Sequence, residues 1–212
     1  MESTKKRTSK DRILKTAVRI FARKGYASTG MRELAESAGV NLAMINYFFG
    51  SKKELLKVIL ETFFTGYLEI IEEELQAPGD FEQKIRRFIH RAIHYISENR
   101  EYMIVTLSEL PHDDPEITEY KAQWARKAML VVHSEICIPV KQSQGVTLSP
   151  AAVGPLLIGM MSSRFLFAPI MERIKPPGYG EDYFEKYPDI IATIFLHGIK
   201  GMGTDTNEVE HG

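Results

Sequence analysis

The stretch TGMRELAESAGVNLAMINYFFGSK, residues 29–52, constrains this chain more than any other. Leu34, Ala35 and Ala38 recur at helical spacing, Val40 and Ile45 form the next apolar pair, and Gly39 stands between the two sets. Glycine turns the chain at no Cβ cost, so Gly39 marks a tight reversal. Asn41 stands where an N-cap starts the following helix. Two short helices crossing through such a turn form a helix-turn-helix, whose second helix can lie in the major groove of DNA.

The flanks follow the same logic. Over residues 9–24, Ile13, Leu14, Ala17, Ile20 and Phe21 trace one apolar helical face, and Gly25 closes that helix. Either Thr29 or Gly30 opens the second helix, and residues 41–48 form the third. Ser51 and Glu54 make a capping box that starts a fourth helix running to about Leu75, close to 40 Å long at about 1.5 Å per residue. Further helices are expected near 81–96, 101–110, 115–140, 149–168 and 183–200. They are bounded by Pro78-Gly79-Asp80, by Asp114-Pro115, by Ser149-Pro150 and by the loop at 176–180. No period-2 pattern persists. The expected fold is all-α, an amino-terminal three-helix helix-turn-helix domain followed by a larger helical domain. Its divisions are a disordered basic arm (1–8), the helix-turn-helix domain (9–54), the larger domain (55–201) and a flexible tail (202–212).

Charge is divided unevenly. Residues 1–57 hold 13 Lys+Arg against 5 Asp+Glu, whereas the other 155 hold 14 against 23. A basic front on an acidic body is the footprint expected of a polyanion bound at one end. The single cysteine, Cys137, excludes an internal disulfide and a cysteine zinc site, and suits a reducing cytosol. The start of the chain has no apolar core after its basic residues, so no signal peptide is expected. The uncharged run 142–163 contains two prolines and reads as a buried helix rather than a membrane span.

Enzyme chemistry finds little support. His90 and His94 share a helix face, but no HExxH carboxylate accompanies them and Arg87 and Arg91 are neighbours. Cys137 follows His133 by four residues, within the apolar run of Val131, Val132, Ile136 and Ile138 that suits a buried thiol. There is no phosphate-binding glycine loop and no nucleophile elbow. The expectation is a non-enzyme with no metal and no cofactor.

Residues 11–57 resemble the amino-terminal domain of the tetracycline-repressor (TetR) family of bacterial transcription regulators. The matching residues are Ile13-Leu14, Ala17, Phe21, Gly25, Thr29, Arg32, Leu34-Ala35, Ala38-Gly39-Val40, Ile45, Asn46-Tyr47-Phe48-Phe49, Ser51-Lys52 and Leu55, without a gap. The resemblance implies a homodimer whose third helices enter successive major grooves of a partly palindromic operator. It places Asn41, Leu42, Ala43, Met44, Asn46 and Tyr47 on the recognition helix, and Arg32 where the family uses an arginine on a base or phosphate. Thr29, Tyr47 and Lys52 fall at positions suited to phosphates, which set register rather than sequence. Leu42, Ala43 and Met44 offer no side-chain hydrogen bonds, and Asn46 stands where many members have tyrosine.

The larger domain is rich in aromatic residues and methionine. Phe64, Phe88, Met103, Trp124 and Met129 are the candidate lining of a pocket for a small apolar or amphipathic effector. Gly154, Gly159, Ser162 and Ser163 let two helices approach closely. Since the family pairs its last two long helices in a dimeric four-helix bundle, 149–168 and 183–200 are the expected dimer interface. The sequence thus points to a cytoplasmic, dimeric repressor released from operator DNA by a ligand. The alternative is a DNA-bound regulator whose carboxy-terminal body docks a protein partner.

Overall fold

A computed structural model of the chain describes residues 2–108 and 114–202. Ten α-helices follow one another among the described residues: α1 (Glu2–Lys24), α2 (Met31–Ser37), α3 (Leu42–Phe49), α4 (Lys52–Gln76), α5 (Phe81–Glu98), α6 (Arg100–Ser108), α7 (Pro115–Val132), α8 (Ile138–Gln144), α9 (Pro150–Ile174) and α10 (Glu181–Met202). No strand occurs among the described residues. Residues 109–113 and 203–212, which include the end of the helix expected over 101–110 and nearly all of the expected tail, lie outside the description.

Two compact units are present: Met1–Thr65 with Asn99–Gln123, and Gly66–Glu98 with Trp124–Gly212. α4 and α7 each contribute to both. In the first unit the helix-turn-helix is built on a core of Ile13, Ala17, Phe21, Leu34, Ala35, Ala38, Ile45, Phe49, Leu55, Leu56, Ile59 and Leu60, all buried. Val105 of α6 and Ile117 of α7 complete that core from much later in the chain. The expected caps at Asp114 and Asp80 form, whereas Ser149 starts α9 without a side-chain hydrogen bond. The Asp114 carboxylate accepts from the backbone N–H groups of Glu116 (2.9 Å) and Ile117 (3.4 Å), and Asp80 accepts from Gln83 at 2.9 Å. Ser51 Oγ accepts from Glu54 N at 3.1 Å, but the Glu54 carboxylate pairs with Lys57 (2.9 Å).

In the second unit α5 presents Ile85, Phe88, Ile89, Ala92, Ile93 and Ile96 as one buried face, against which α9 and α10 pack. α9 contributes Val153, Leu157, Met161, Phe165 and Ala168. Arg91 bridges Glu73 and Glu74, 2.7 Å from each, and ties α5 to the second half of α4.

The helix boundaries differ from expectation in three places. α1 reaches Glu2, because residues 2–8 contain neither proline nor glycine to end it. The single helix expected over 115–140 is interrupted by a π-helical turn, His133–Cys137, before α8. Pro139 explains the interruption: it lacks the N–H that would bond four residues back, and its ring crowds that carbonyl. α9 runs past Pro169 to Ile174, since proline's fixed φ is itself helical and only one hydrogen bond is lost.

Candidate nucleic-acid interface

α2 starts at Gly30, which has extended backbone and no side chain to cap with. Thr29 therefore is not the cap. It is 2% exposed, and its hydroxyl donates to the Gly25 carbonyl at 2.8 Å. The side chain expected at a phosphate instead fastens the turn between α1 and α2. At the end of α2, Gly39 adopts φ +62°, and the Val40 N–H bonds the Ala35 carbonyl at 3.0 Å. A β-carbon at Gly39 would be strained in this conformation. Asn41 follows with extended backbone, and its Oδ1 accepts from Met44 N at 2.8 Å.

The cap fixes the orientation of α3. Ile45 and Phe49 enter the core, and Leu42, Met44 and Phe48 pack half-buried against it. Ala43, Asn46 and Tyr47, at i, i+3 and i+4, face solvent together. Tyr47 is 70% exposed, its ring edge-on to Phe48 with centroids 5.2 Å apart. Arg32 on α2 is exposed and, like the Asn46 amide, makes no hydrogen bond or ion pair with the described residues. Lys52 is more constrained than expected. Its ammonium sits 4.3 Å from the Tyr26 ring centroid and donates to the Ala27 carbonyl at 3.4 Å, bracing the start of α4 against the α1–α2 turn. Lys24 pairs with Glu33 at 2.5 Å, and this hydrogen bond holds the Glu33 carboxyl below its usual range.

The candidate effector residues are distributed over both units. Phe64 and Met103 belong to the first, half-buried and fully buried respectively. Phe88, Trp124 and Met129 belong to the second. There Phe88 packs against Tyr67, ring centroids 6.4 Å apart, and the Lys127 ammonium covers the Trp124 ring at 4.7 Å. A groove of about 550 Å3 between α1 and α6 was not anticipated. It is lined by Asp11, Arg12, Lys15, Thr16, Val18, Arg19, Glu101 and Tyr102, and includes none of the five.

The residues weighed for enzyme chemistry are engaged elsewhere. His90 contacts Asp189 at 2.8 Å, and His94 contacts Glu98 at 3.3 Å. Cys137 is buried, and burial pushes its thiol up, away from the thiolate. No three His, Cys, Asp or Glu side chains among the described residues are grouped to hold a metal ion.

The family model "Bacterial regulatory proteins, tetR family" matches residues 13–59, which span the buried face of α1, the helix-turn-helix and the start of α4. The amino-terminal head, residues 13–59, is that of the TetR family of bacterial regulatory proteins. Among its relatives, the probable HTH-type transcriptional regulator YttP of Bacillus subtilis is 24% identical over 198 residues, covering 90% of this chain and 96% of that one. The chain spans only about half the length of several other regulators it matches. Two solved structures share the fold. AibR in complex with isovaleryl coenzyme A and operator DNA has TM-score 0.71 and 17% identity, covering 88% of this chain and 97% of AibR. FadR of Bacillus subtilis in complex with stearoyl-CoA has TM-score 0.63 and 16% identity, covering 85% and 96%. The family and the relatives are transcriptional regulators rather than enzymes, and DNA binding and transcription regulation are the role they support for this chain.

Proposed function

We propose that the chain is a dimeric, cytoplasmic repressor that binds a partly palindromic operator and is released by a small, largely apolar or amphipathic effector. One observation carries the DNA half of the reading. Ala43, Asn46 and Tyr47 form the solvent face of α3 while Ile45 and Phe49 anchor the helix in the core, so α3 is held with that face exposed. Arg32 adds an exposed cation from α2, without an ion pair among the described residues.

Dimerisation rests on α9 and α10. α9 is apolar and long enough, by length and composition, to cross a membrane. Its exposed Leu156, Phe167, Ile170 and Ile174, with Ile190 and Ile194 of α10, suit burial against a second copy. The effector class is argued from the two similar structures, which hold isovaleryl coenzyme A and stearoyl-CoA. An acyl thioester is the chemistry to try first. The effector must prefer the non-binding form of the dimer, because equal affinity for both forms shifts nothing. α4, continuous through both units, is the element to carry that change.

Gel-shift binding to the DNA upstream of the chain's own gene tests the reading. Arg32→Ala and Tyr47→Ala abolish the shift, His90→Ala preserves it, and a long-chain acyl-CoA releases the wild-type complex. Equal binding to unrelated DNA of the same length would sink the operator reading.

A further inference from the structure

Apart from Arg32 on α2, the helix-turn-helix leaves very few side chains able to distinguish one base pair from another. Thr29 is buried on Gly25, the Asn41 oxygen caps Met44, and Lys52 is braced on Tyr26 and Ala27. Leu42 and Met44 lean on the core. On the solvent face of α3 there remain one methyl (Ala43), one carboxamide (Asn46) and one phenol (Tyr47). The Asn46 amide carries a donor and an acceptor side by side, without an intramolecular partner among the described residues.

Each base edge can be compared with that fork. In the major groove adenine alone presents an acceptor (N7) beside a donor (N6). Guanine presents two acceptors, so the amide oxygen would be buried unpaired. Cytosine presents one donor, leaving the amide N–H groups unmatched. Ala43 lies three residues before Asn46 on the same face, about 4.5 Å along the helix axis. That is close to the roughly 3.4 Å spacing of successive bases on a strand. A small methyl there fits the thymine 5-methyl group and offers no polar contact of its own.

We propose that each operator half-site carries an adenine read bidentately by Asn46, with a thymine within one or two base pairs against Ala43. The specificity of α3 is thus centred on A·T pairs, and Asn46 is its specificity-determining residue. This rests on the operator-binding reading and adds the base content of the site.

Selection from random duplexes with the full-length protein tests it, followed by titration of the selected site. Wild type selects a half-site with an adenine whose replacement by 7-deazaadenine, which lacks N7, weakens binding. Exchanging that A·T pair for G·C weakens it by about 5- to 150-fold. Asn46→Ala binds both versions alike, and because Asn46 is exposed this variant keeps the fold. A wild-type consensus with no adenine sensitive to 7-deaza substitution overturns the proposal while leaving operator binding intact, as does an Asn46→Ala consensus identical to wild type. Failure of wild type to select any consensus overturns operator binding itself.

Discussion

The ring of Tyr95 stands where a side chain on Gly66 would begin. A β-carbon at Gly66 would lie 2.6 Å from the Tyr95 hydroxyl oxygen and 2.8 Å from Cε2 and Cζ. Glycine inside a helix ordinarily costs about 1 kcal/mol relative to alanine. Here it lets α5 lay an aromatic ring directly on the backbone of α4.

Gly66→Ala should therefore destabilise the protein, by about 1–3 kcal/mol, because overpacking outweighs the gain in helix propensity. In a Tyr95→Leu background the ring is gone and the same substitution should become neutral or stabilising. Thermal or urea denaturation of the four proteins closes the double-mutant cycle. Equal effects of Gly66→Ala in both backgrounds would show that the ring simply moves aside.

A second relationship links the first unit's helices through charge. Lys53 lies 2.6 Å from Asp114 and 3.0 Å from Glu116, and Lys57 also pairs with Glu116. Hydrogen bonding to Lys53 holds the Asp114 carboxyl below its ordinary value of 3.8. Lys57, then Lys53, does the same for Glu116, whose ordinary value is 4.5. A carboxyl with a depressed folded-state pKa contributes stability that is fully present above its unfolded value and is lost as pH falls through the folded one. Stability should thus begin to fall below about pH 4.5. In Asp114→Asn/Glu116→Gln, which keeps an N-cap acceptor at 114, the acid limb should be flatter. All four groups are at the surface, so 1 M salt should remove most of the difference. Denaturation midpoints across pH 2–7 at low and high salt are the measurement. An acid limb unchanged in the double variant would place the responsible carboxylates elsewhere.

The parts of the fold written in local sequence were legible there. Gly39, Asn41, Ser51, Asp80 and Asp114 each announced a turn or cap because its cause lies within four residues. The apolar period of α1, α2 and α4 gave the core of the first unit for the same reason. What was not legible depends on distant residues. Val105 and Ile117 complete the core that Ile13 and Leu55 begin, and no local pattern marks them for it. Thr29 and Lys52 match a DNA-binding pattern, but Gly25, Tyr26 and Ala27 engage them, and that pairing exists only once the α1–α2 turn has folded. Pro139 was visible, yet whether it ends, kinks or widens a helix depends on what packs around it.

Asn41 separates positioning from reading. Its oxygen is taken by Met44 N, so its contribution to DNA binding should be the orientation of α3 rather than contact with a base. Asn41→Ala should cost about 1 kcal/mol of stability and weaken binding to all sequences alike. Asn41→Ser, which restores a capping oxygen with a shorter side chain, should recover both. Competition titrations with matched and mismatched duplexes provide the test. A change in base preference in Asn41→Ser would make Asn41 a reader after all.

The apolar faces of α9 and α10 give the sharpest test of assembly. Ile170 is 53% exposed and Ile194 55% exposed, so neither is needed for the packing of its own subunit. If a second copy covers them, a charge at either site is buried unpaired in the dimer while remaining solvated in the monomer. Ile170→Asp and Ile194→Asp should each raise the dimer dissociation constant by about 100-fold or more, the equivalent of about 2.7 kcal/mol, with an unchanged helical spectrum. Leu130 on α7 is 70% exposed and serves as the control, since Leu130→Asp introduces the same charge on a different helix. Sedimentation over a concentration series reads all three. Operator affinity should fall with dimerisation in the first two variants, because a single reading head engages only one half-site. A dimer weakened by Leu130→Asp and untouched by the other two would move the interface to α7.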